Sequence, residues 1–161
     1  MESKKQLLLI LGVAFCAVFV YGALRIFVAD DESLIRRVVY SEVLNAERQN
    51  IPKCGEFVSE GYSDQYGNTK QALLDRATRI LKRLRQLKVV IKQLRIDVKD
   101  FKAEGNIGFT CYFKKAQALD EKKYYDHGKL KVLFRKETGR WKIYEIGYTG
   151  SSELLFSQGV A

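Results

Sequence analysis

The stretch IGFTCYF (residues 107–113) decides the fold, because an apolar side chain recurs at every second position. A period of two places alternate side chains on opposite faces, which is the pattern of a β-strand with one buried face. The same alternation occurs at residues 94–98, 130–135 and 141–148. The sequence therefore predicts four antiparallel strands in its second half.

Turn and bulge signals separate and interrupt these strands. Clusters of turn-forming residues lie at 104–106, 120–123 and 138–139, so we predict the connections between strands there. The apolar parity slips within residues 89–94 and again within 143–146. An extra residue in one strand of a pair produces such a slip, so we predict a β-bulge at each place.

Helical spacing dominates the part of the chain before the strands. Residues 33–50 carry apolar side chains at helical intervals, with Arg36, Glu42 and Glu47 assigned to the other faces. A second helix is predicted to start at Asn68 or Thr69, and its apolar positions are Leu73, Ala77, Ile80, Leu84 and Leu87. Helices followed by a strand meander predict an α+β domain with helices covering one sheet face.

An uncharged, almost wholly apolar run extends from residue 7 to residue 24. About 18 to 20 such residues at 1.5 Å each match the hydrocarbon thickness of a bilayer. Arg25 lies where its long side chain can reach the headgroups, and Tyr21 suits the same interface. We therefore predict a transmembrane anchor at residues 7–29.

The charges that flank this run predict its direction. Lys4 and Lys5 precede it, which favours residues 1–6 on the cytoplasmic side and the domain on the periplasmic, extracytoplasmic side of the inner membrane. A cleaved signal peptide is the alternative. Its apolar core is shorter, and its cleavage site needs small residues where Tyr21 and Phe27 stand. The anchor is the better interpretation.

The composition limits the chemistry that the domain can carry. The formal net charge of +9 leaves three partner classes open: nucleic acid, an anionic membrane surface or an acidic partner. The predicted external location makes nucleic acid the poorest of the three. One histidine and the separated Cys54 and Cys111 supply no clustered metal ligands, so we expect no metal and no cofactor. A Cys54–Cys111 disulfide and two separately buried thiols both remain open, with the thiols favoured.

Three short motifs carry a resemblance to a known family. They are FVSEGYSD at residues 57–64, GNTKQAL at 67–73 and GRWKI at 139–143, in an order of helices and then long strands. This order resembles the nuclear-transport-factor-2-like superfamily, which includes SnoaL-like and ketosteroid-isomerase-like domains. The resemblance covers roughly residues 32–148. It implies a cone, in which a curved sheet of about four long strands wraps around two or three helices and leaves a pocket at the open end.

The resemblance implies neither an activity nor a catalytic set, because such domains include enzymes, binding modules and assembly domains. The dehydratase branch uses a histidine with an aspartate, but neighbouring Asp126 and His127 would point to opposite faces of a strand. Aromatic rings with a few polar groups would suit a small hydrophobic ligand, against the alternative that they are ordinary core or surface residues. The candidate pocket residues are Tyr62, Asp64, Tyr66, Tyr112, His127, Trp141 and Tyr144.

The second predicted helix is strongly basic. Its cations include Arg76, Arg79, Lys82 and Arg83. Such a helix face is commonly just solvated, but beside a bilayer it could also dock on anionic headgroups or on an acidic partner. We predict these four residues as candidate contacts with an anionic surface.

These observations lead to one functional expectation and one alternative. We expect a non-catalytic binding or assembly module, residues 30–149, followed by a flexible tail at 150–161. The anchor at Leu7–Ala29 would contact the lipid bilayer, and the domain would bind a protein partner or a second copy of the chain. The alternative is a small-molecule enzyme or carrier of the isomerase or dehydratase type. An ionisable group inside the cone would favour that alternative.

Overall fold

The computed structural model describes residues 30–116 and 122–148. Three helices come first: α1 (Asp31–Glu47), α2 (Ile51–Phe57) and α3 (Lys70–Leu81). Four strands follow: β1 (Leu84–Lys99), β2 (Lys102–Lys115), β3 (Tyr124–Glu137) and β4 (Arg140–Tyr148). They form one antiparallel sheet in the order β1-β2-β3-β4, so the predicted α+β fold with a four-stranded meander is confirmed.

Side-chain caps set where the helices begin. The Asp30 carboxylate accepts a hydrogen bond from the Ser33 backbone N–H at 2.6 Å, and Thr69 caps α3 through the Ala72 N–H. Each cap satisfies a backbone donor that has no partner within its helix, which typically contributes about 1 kcal/mol. The predicted start of the second long helix is therefore confirmed, and the first begins at Asp31, two residues before the predicted stretch.

The core lies between α1 and the inner face of the sheet. Ile35, Val38 and Val39 of α1 pack in one cluster with sheet residues that include Phe134 and Trp141. Phe134 is only 1% exposed, and removing such a ring typically costs about 3–5 kcal/mol. The main core therefore depends on one helix face and the alternate residues of the strands.

Bulges occur at both predicted places. The register between β1 and β2 shifts between Ile91 and Gln93, and the register between β3 and β4 shifts between Leu133 and Phe134. In the second case Tyr144 is the extra residue, because its neighbours Ile143 and Glu145 pair with Phe134 and Leu133. Bulges bend a sheet, and these help the strands to curve around the helices.

Helix α3 is shorter than predicted. It ends at Leu81, and Leu84 and Leu87 belong to β1. The apolar spacing of four and three continues into the strand because β1 starts irregularly: Gln86 has a φ of 53°, and the register shifts between Arg85 and Lys88. A bulged strand start and a continuing helix thus share the same apolar spacing.

The turn predicted at residues 104–106 is wrong. Those residues lie within β2, and the chain turns instead at Asp100 and Phe101, where Asp100 has a φ of 54°. Gly105 serves packing: a Cβ there would lie 3.0 Å from the Phe134 ring. The turn at Thr138–Gly139 is confirmed, since both residues have positive φ, as a tight hairpin turn requires.

Different structural elements meet at the two ends of the domain. At one end, which we call the turn end, the start of α1 meets both hairpin turns. There Lys136 donates from its backbone N–H to the Phe101 carbonyl at 2.8 Å, and its Nζ lies 2.7 Å from Asp31 Oδ1. The far end holds the end of α1, where Gln49 donates to the Leu81 and Leu84 carbonyls. Seventeen residues of α1 separate the two ends by about 25 Å.

Among the described helices, none is long and apolar enough to cross a membrane. The predicted anchor at residues 7–29 and the predicted tail at 150–161 lie outside the described residues. So does part of the predicted turn at 120–123.

Candidate functional site

A carboxyl group lies on the inward face of α1. Glu42 follows Ile35, Val38 and Val39 at seven, four and three residues, so it shares the helix face that they bury. The Cys54 thiol of α2 hydrogen-bonds to this carboxyl group. Its Oε1 atom is shielded from solvent and has no hydrogen-bond partner in the described part of the chain. Glu42 is therefore the central polar group of the candidate site.

Burial changes the proton affinity of both groups in this pair. Desolvation raises the pKa of Glu42 to about 8, against a smaller opposing effect of the Cys54 hydrogen bond. Desolvation, together with the nearby Glu42 carboxyl, raises the pKa of Cys54 to about 12. At pH 7 the carboxyl group and the thiol are thus both mainly protonated. Cys54 and Cys111 are both free, as the favoured prediction stated, but only Cys54 is buried and Cys111 is half-buried.

The sheet wall facing Glu42 follows from two contacts of α1. Arg36 donates to the Leu94 carbonyl of β1, and Glu47 accepts from the Val89 N–H, so Glu42 lies between these levels. Across the sheet that level holds the paired residues Ile91, Phe109 and Gly128.

Gly128 lets large side chains approach this part of the wall. A Cβ on Gly128 would lie 2.9 Å from the Tyr148 hydroxyl and 3.1 Å from the Phe109 ring. The Tyr148 hydroxyl oxygen is itself shielded from solvent. The inner side at the level of Glu42 thus combines aromatic surface with a few enclosed polar atoms, which is the usual make-up of a small-molecule site.

The structure does not gather the seven predicted pocket residues into one site. Tyr62 and Trp141 are core residues, each 3% exposed. The indole N–H of Trp141 donates to Asp31 at 2.9 Å, which fixes the start of α1. The Arg135 guanidinium carbon lies 4.6 Å from the centre of the Tyr144 ring. Tyr144 is on the other side of the sheet from Glu42.

Two of the predicted residues form a local loop structure. The Asp64 carboxylate accepts hydrogen bonds from the backbone N–H groups of Tyr66 and Asn68, both at 2.9 Å. Partial desolvation opposes the ionised form, but these bonds outweigh it and lower the pKa of Asp64. Desolvation and the charge of Asp64 raise the pKa of Tyr62 to about 12. Asp64 is thus a loop-forming residue, and Tyr66 is exposed.

Tyr112 and His127 lie together on the outer face of the sheet. Tyr112 pairs directly with Tyr125, and His127 is its diagonal neighbour on β3. Asp126 and His127 point to opposite faces, as the alternation predicted, and the His127 backbone N–H donates to the Asp126 carboxylate at 2.8 Å. The protein's one histidine is therefore remote from Glu42.

A cleft of about 290 Å³ opens on the outer face near the turn end. Lys99, Lys102 and Arg135 line it, together with Glu104 and Tyr144. Glu104 is held by Lys131 at 2.9 Å. The hydrogen bond from Lys131 is the main reason that the pKa of Glu104 is lowered.

The four predicted surface cations lie along α3 and just beyond it. Arg76 is half-buried, whereas Arg79, Lys82 and Arg83 are exposed. The Ala116 N–H donates a hydrogen bond to the Arg83 carbonyl oxygen at 2.8 Å, which places the end of α3 at the far end of the domain. These cations therefore follow the helix away from the turn end.

Sequence reasoning missed Glu42 because it assigned this residue to the polar side of α1. A signal was present: the residue lies three, four and seven positions after Val39, Val38 and Ile35, all apolar. It also missed the outer cleft, because that cleft depends on which strands become neighbours.

Comparison with solved structures identifies the fold. The domain resembles a hexachlorocyclohexane dehydrochlorinase (LinA type 2), with a TM-score of 0.63 at 12% identity over 73% of this chain and 83% of that one. It also resembles a nuclear transport factor 2-like superfamily protein from Salmonella enterica serovar Typhimurium, with a TM-score of 0.62 at 10% identity over 78% of this chain and 94% of the other. The described domain therefore has the nuclear-transport-factor-2-like fold that the motifs suggested.

A third similar structure comes from a longer protein. Bd1075 of Bdellovibrio bacteriovorus matches with a TM-score of 0.61 at 17% identity, over 73% of this chain. This chain spans only 40% of the Bdellovibrio protein. No family model and no curated protein matches the sequence. At these identities the likeness describes the fold alone.

Proposed function

We propose that this chain is a membrane-tethered module that binds a small, largely apolar molecule on the inner side of its sheet. The observation that carries the proposal is the Glu42 carboxyl group, whose enclosed Oε1 lacks a partner in the described ranges. A buried polar atom without a partner typically costs about 1–3 kcal/mol. A bound molecule with one hydrogen-bonding group would remove that cost.

The proton affinity of Glu42 indicates the kind of molecule. With a pKa of about 8, the carboxyl group is mainly uncharged at pH 7, so it attracts no counter-ion. A neutral carboxyl group both donates and accepts a hydrogen bond. The sheet wall at the same level holds the paired residues Ile91 and Phe109. A neutral, mostly apolar molecule with a carbonyl, hydroxyl or amine group fits this environment.

Two features support binding without catalysis. His127, the only histidine, is exposed on the opposite face of the sheet. Cys54, with its pKa raised to about 12, holds little of the thiolate form that acts as a nucleophile. The tether in this proposal is the apolar run at residues 7–29.

A fluorescence titration with N-phenylnaphthylamine tests the binding proposal, because this neutral amine brightens in apolar sites. We expect the full-length protein and its Glu42→Gln variant to bind the probe, since the amide retains both hydrogen-bonding functions. Glu42→Leu should bind about tenfold more weakly, which corresponds to one lost hydrogen bond. Glu32→Gln, on the outer part of the same helix, is the matched control. A Glu42→Leu variant that binds like the control contradicts the proposal.

Proton-transfer catalysis is a second candidate function, and the same carboxyl group favours it. A pKa near the working pH is what general acid–base catalysis requires. Glu42→Gln separates the two functions, because the amide binds but cannot transfer a proton. If a substrate is turned over by the wild-type protein and only bound by Glu42→Gln, the domain is an enzyme. Equal behaviour of both proteins supports the binding module.

A further inference from the structure

We infer that the turn end of the domain is a docking surface for anionic lipid headgroups, contacted by Lys99, Lys102 and Arg140 with Phe101 at its centre. The inference deepens the proposed function and rests on its tether at residues 7–29. Lys99, Lys102 and Arg140 differ from the four cations of the second predicted helix that the sequence suggested as contacts with an anionic surface.

The first observation is the position of the start of α1 next to the two hairpin turns. The described chain starts at Asp30, directly after the last residue of the predicted anchor. The next residue, Asp31, bonds to Lys136 at 2.7 Å and to the Trp141 indole at 2.9 Å. Lys136 in turn donates to the Phe101 carbonyl. The entry point of the chain is therefore fixed against the hairpin turns, so an anchor that ends at residue 29 would hold the turn end next to the bilayer.

Charge is the second observation. Four cations stand directly opposite one another across the whole sheet, since Lys99 pairs with Lys102, Lys102 with Arg135, and Arg135 with Lys142. Like charges in direct cross-strand pairs destabilise a sheet. An anionic surface would offset this repulsion.

Carboxylates of the domain neutralise this row only in part. Lys99 lies 3.5 Å from Asp97, and Arg135 lies 2.7 Å from Glu137. Lys102 makes no ion pair with any described residue, and the same holds for Arg140 in the second hairpin turn. The acidic residue in the turn itself is Asp100. The surface keeps a net positive charge, which favours phosphate headgroups.

The third observation is an exposed aromatic ring. Phe101 is 71% exposed although it is a large apolar side chain, and a lysine lies on each side of its turn. A phenylalanine flanked by lysines is the arrangement expected of a segment that enters the interface between headgroups and acyl chains. The cleft lined by Lys99, Lys102 and Arg135 opens beside it and offers room for a headgroup phosphate.

Distance separates this surface from the cations of α3. Lys82 and Arg83 lie at the far end, about 25 Å from the turn end along α1. The Debye length at physiological salt is about 8 Å. A domain standing on its turn end would therefore hold these two cations beyond electrostatic reach of the bilayer.

Lipid quenching of a reporter tryptophan tests the inference in the full-length chain. The matched positions are Phe101 and Tyr125, which are 71% and 70% exposed, with Tyr125 near the far end. Phe101→Trp and Tyr125→Trp are each reconstituted into phosphatidylglycerol vesicles with brominated acyl chains, and the signal of native Trp141 is subtracted. We expect quenching of Phe101→Trp to be several times stronger than that of Tyr125→Trp.

Charge reversal provides the second arm. Lys99→Glu, Lys102→Glu and Arg140→Glu together should reduce the quenching of Phe101→Trp to the level of Tyr125→Trp. The control triple on the helix, Arg79→Glu, Lys82→Glu and Arg83→Glu, should leave the quenching unchanged. The reverse result would place the contact on α3 and overturn the inference.

Sedimentation separates the failure of the docking surface from the failure of the tether. If the chain sediments with vesicles but both tryptophans are quenched equally, the docking surface is wrong and the tether stands. If the chain stays in the supernatant, the tether is wrong and the inference fails with it.

Discussion

The first and fourth turns of helix α1 each present a carboxyl group to the body of the domain, with opposite results. Asp31 is met by the Lys136 ammonium and the Trp141 indole, and these hydrogen bonds lower its pKa. Glu42, three turns later, is met by a thiol and apolar walls, and desolvation raises its pKa to about 8. Chemically similar side chains on one helix thus have different effects: Asp31 holds the structure together, whereas Glu42 destabilises it and is the group to which we propose that a ligand binds.

The largest expected effect comes from removing the Glu42 carboxyl group. Its pKa of about 8, against an ordinary 4.5, means that the folded protein at pH 7 keeps a proton which the unfolded chain releases. Each pH unit of this difference costs about 1.4 kcal/mol. We expect Glu42→Leu to raise the free energy of unfolding by about 3 kcal/mol at pH 7, measured by urea denaturation.

The pH dependence gives the control for that variant. Stability due to Glu42 is fully present below pH 4.5 and declines as the pH rises to about 8. For Asp31 the sign is opposite. Its lowered pKa adds stability at pH values above its ordinary pKa, and that stability is lost as the pH falls below it. Glu42→Leu should therefore flatten the decline between pH 4.5 and 8, whereas Glu32→Gln should not. An unchanged slope in Glu42→Leu means that Glu42 is solvated.

The next effect has the opposite sign. Asp31→Ala removes two charge-assisted hydrogen bonds and leaves the Trp141 N–H without its partner. We expect the free energy of unfolding to fall by about 2 kcal/mol. Asp30→Ala, which removes the neighbouring and fully exposed helix cap, should cost less and is the control. Equal losses in the two variants would remove the special role of Asp31.

A smaller effect on stability is expected at Gly128, in the sheet wall opposite Glu42. Gly128→Ala places a methyl group 2.9 Å from the Tyr148 hydroxyl, so one of the two must move. We expect a loss of about 1 kcal/mol in thermal or urea unfolding and weaker probe binding. Gly147→Ala is the matched control, because its new methyl group would lie 3.7 Å from the Lys131 carbonyl oxygen, an ordinary contact distance. If both variants behave alike, this wall is not closely packed.

The smallest expected effect concerns the thiol. Glu42→Gln removes the charge that contributes to the raised pKa of Cys54, but desolvation, the larger cause, remains. We expect alkylation of Cys54 by iodoacetamide at pH 9 to become only a few times faster, because one unit of pKa changes the thiolate fraction tenfold at most. The rate at Cys111 is the internal reference. Faster labelling of both cysteines would indicate loosening of the fold instead.

Much of the fold could be predicted because its signals are local. Alternation within residues 107–113 requires only that neighbouring side chains of a strand point to opposite faces, and Thr69 caps the nearest free backbone donors. The two bulges were visible as slips of parity. The prediction failed where one local pattern suits two structures: Leu84 and Leu87 continue a helical spacing, yet they begin a bulged strand.

The candidate site was less predictable because its members are distant in sequence. Gly105 was taken for a turn residue, and only the Phe134 ring beside it shows why glycine is needed. The tyrosines predicted for a pocket were dispersed: some entered the core, and others remained on the outer face. Composition indicated that aromatic residues are abundant but not which of them share a surface.

By itself the sequence determined the cap of α3, the alternation of the four strands and their bulges, because each depends on interactions between residues close in the chain. Only the tertiary structure decided that Asp31 meets Trp141 across 110 residues, that Glu42 faces inward, and that four cations form a row across four strands. Burial and strand pairing create those relations. Burial raises the pKa of the Glu42 carboxyl group, and strand pairing gathers positive charges on one surface.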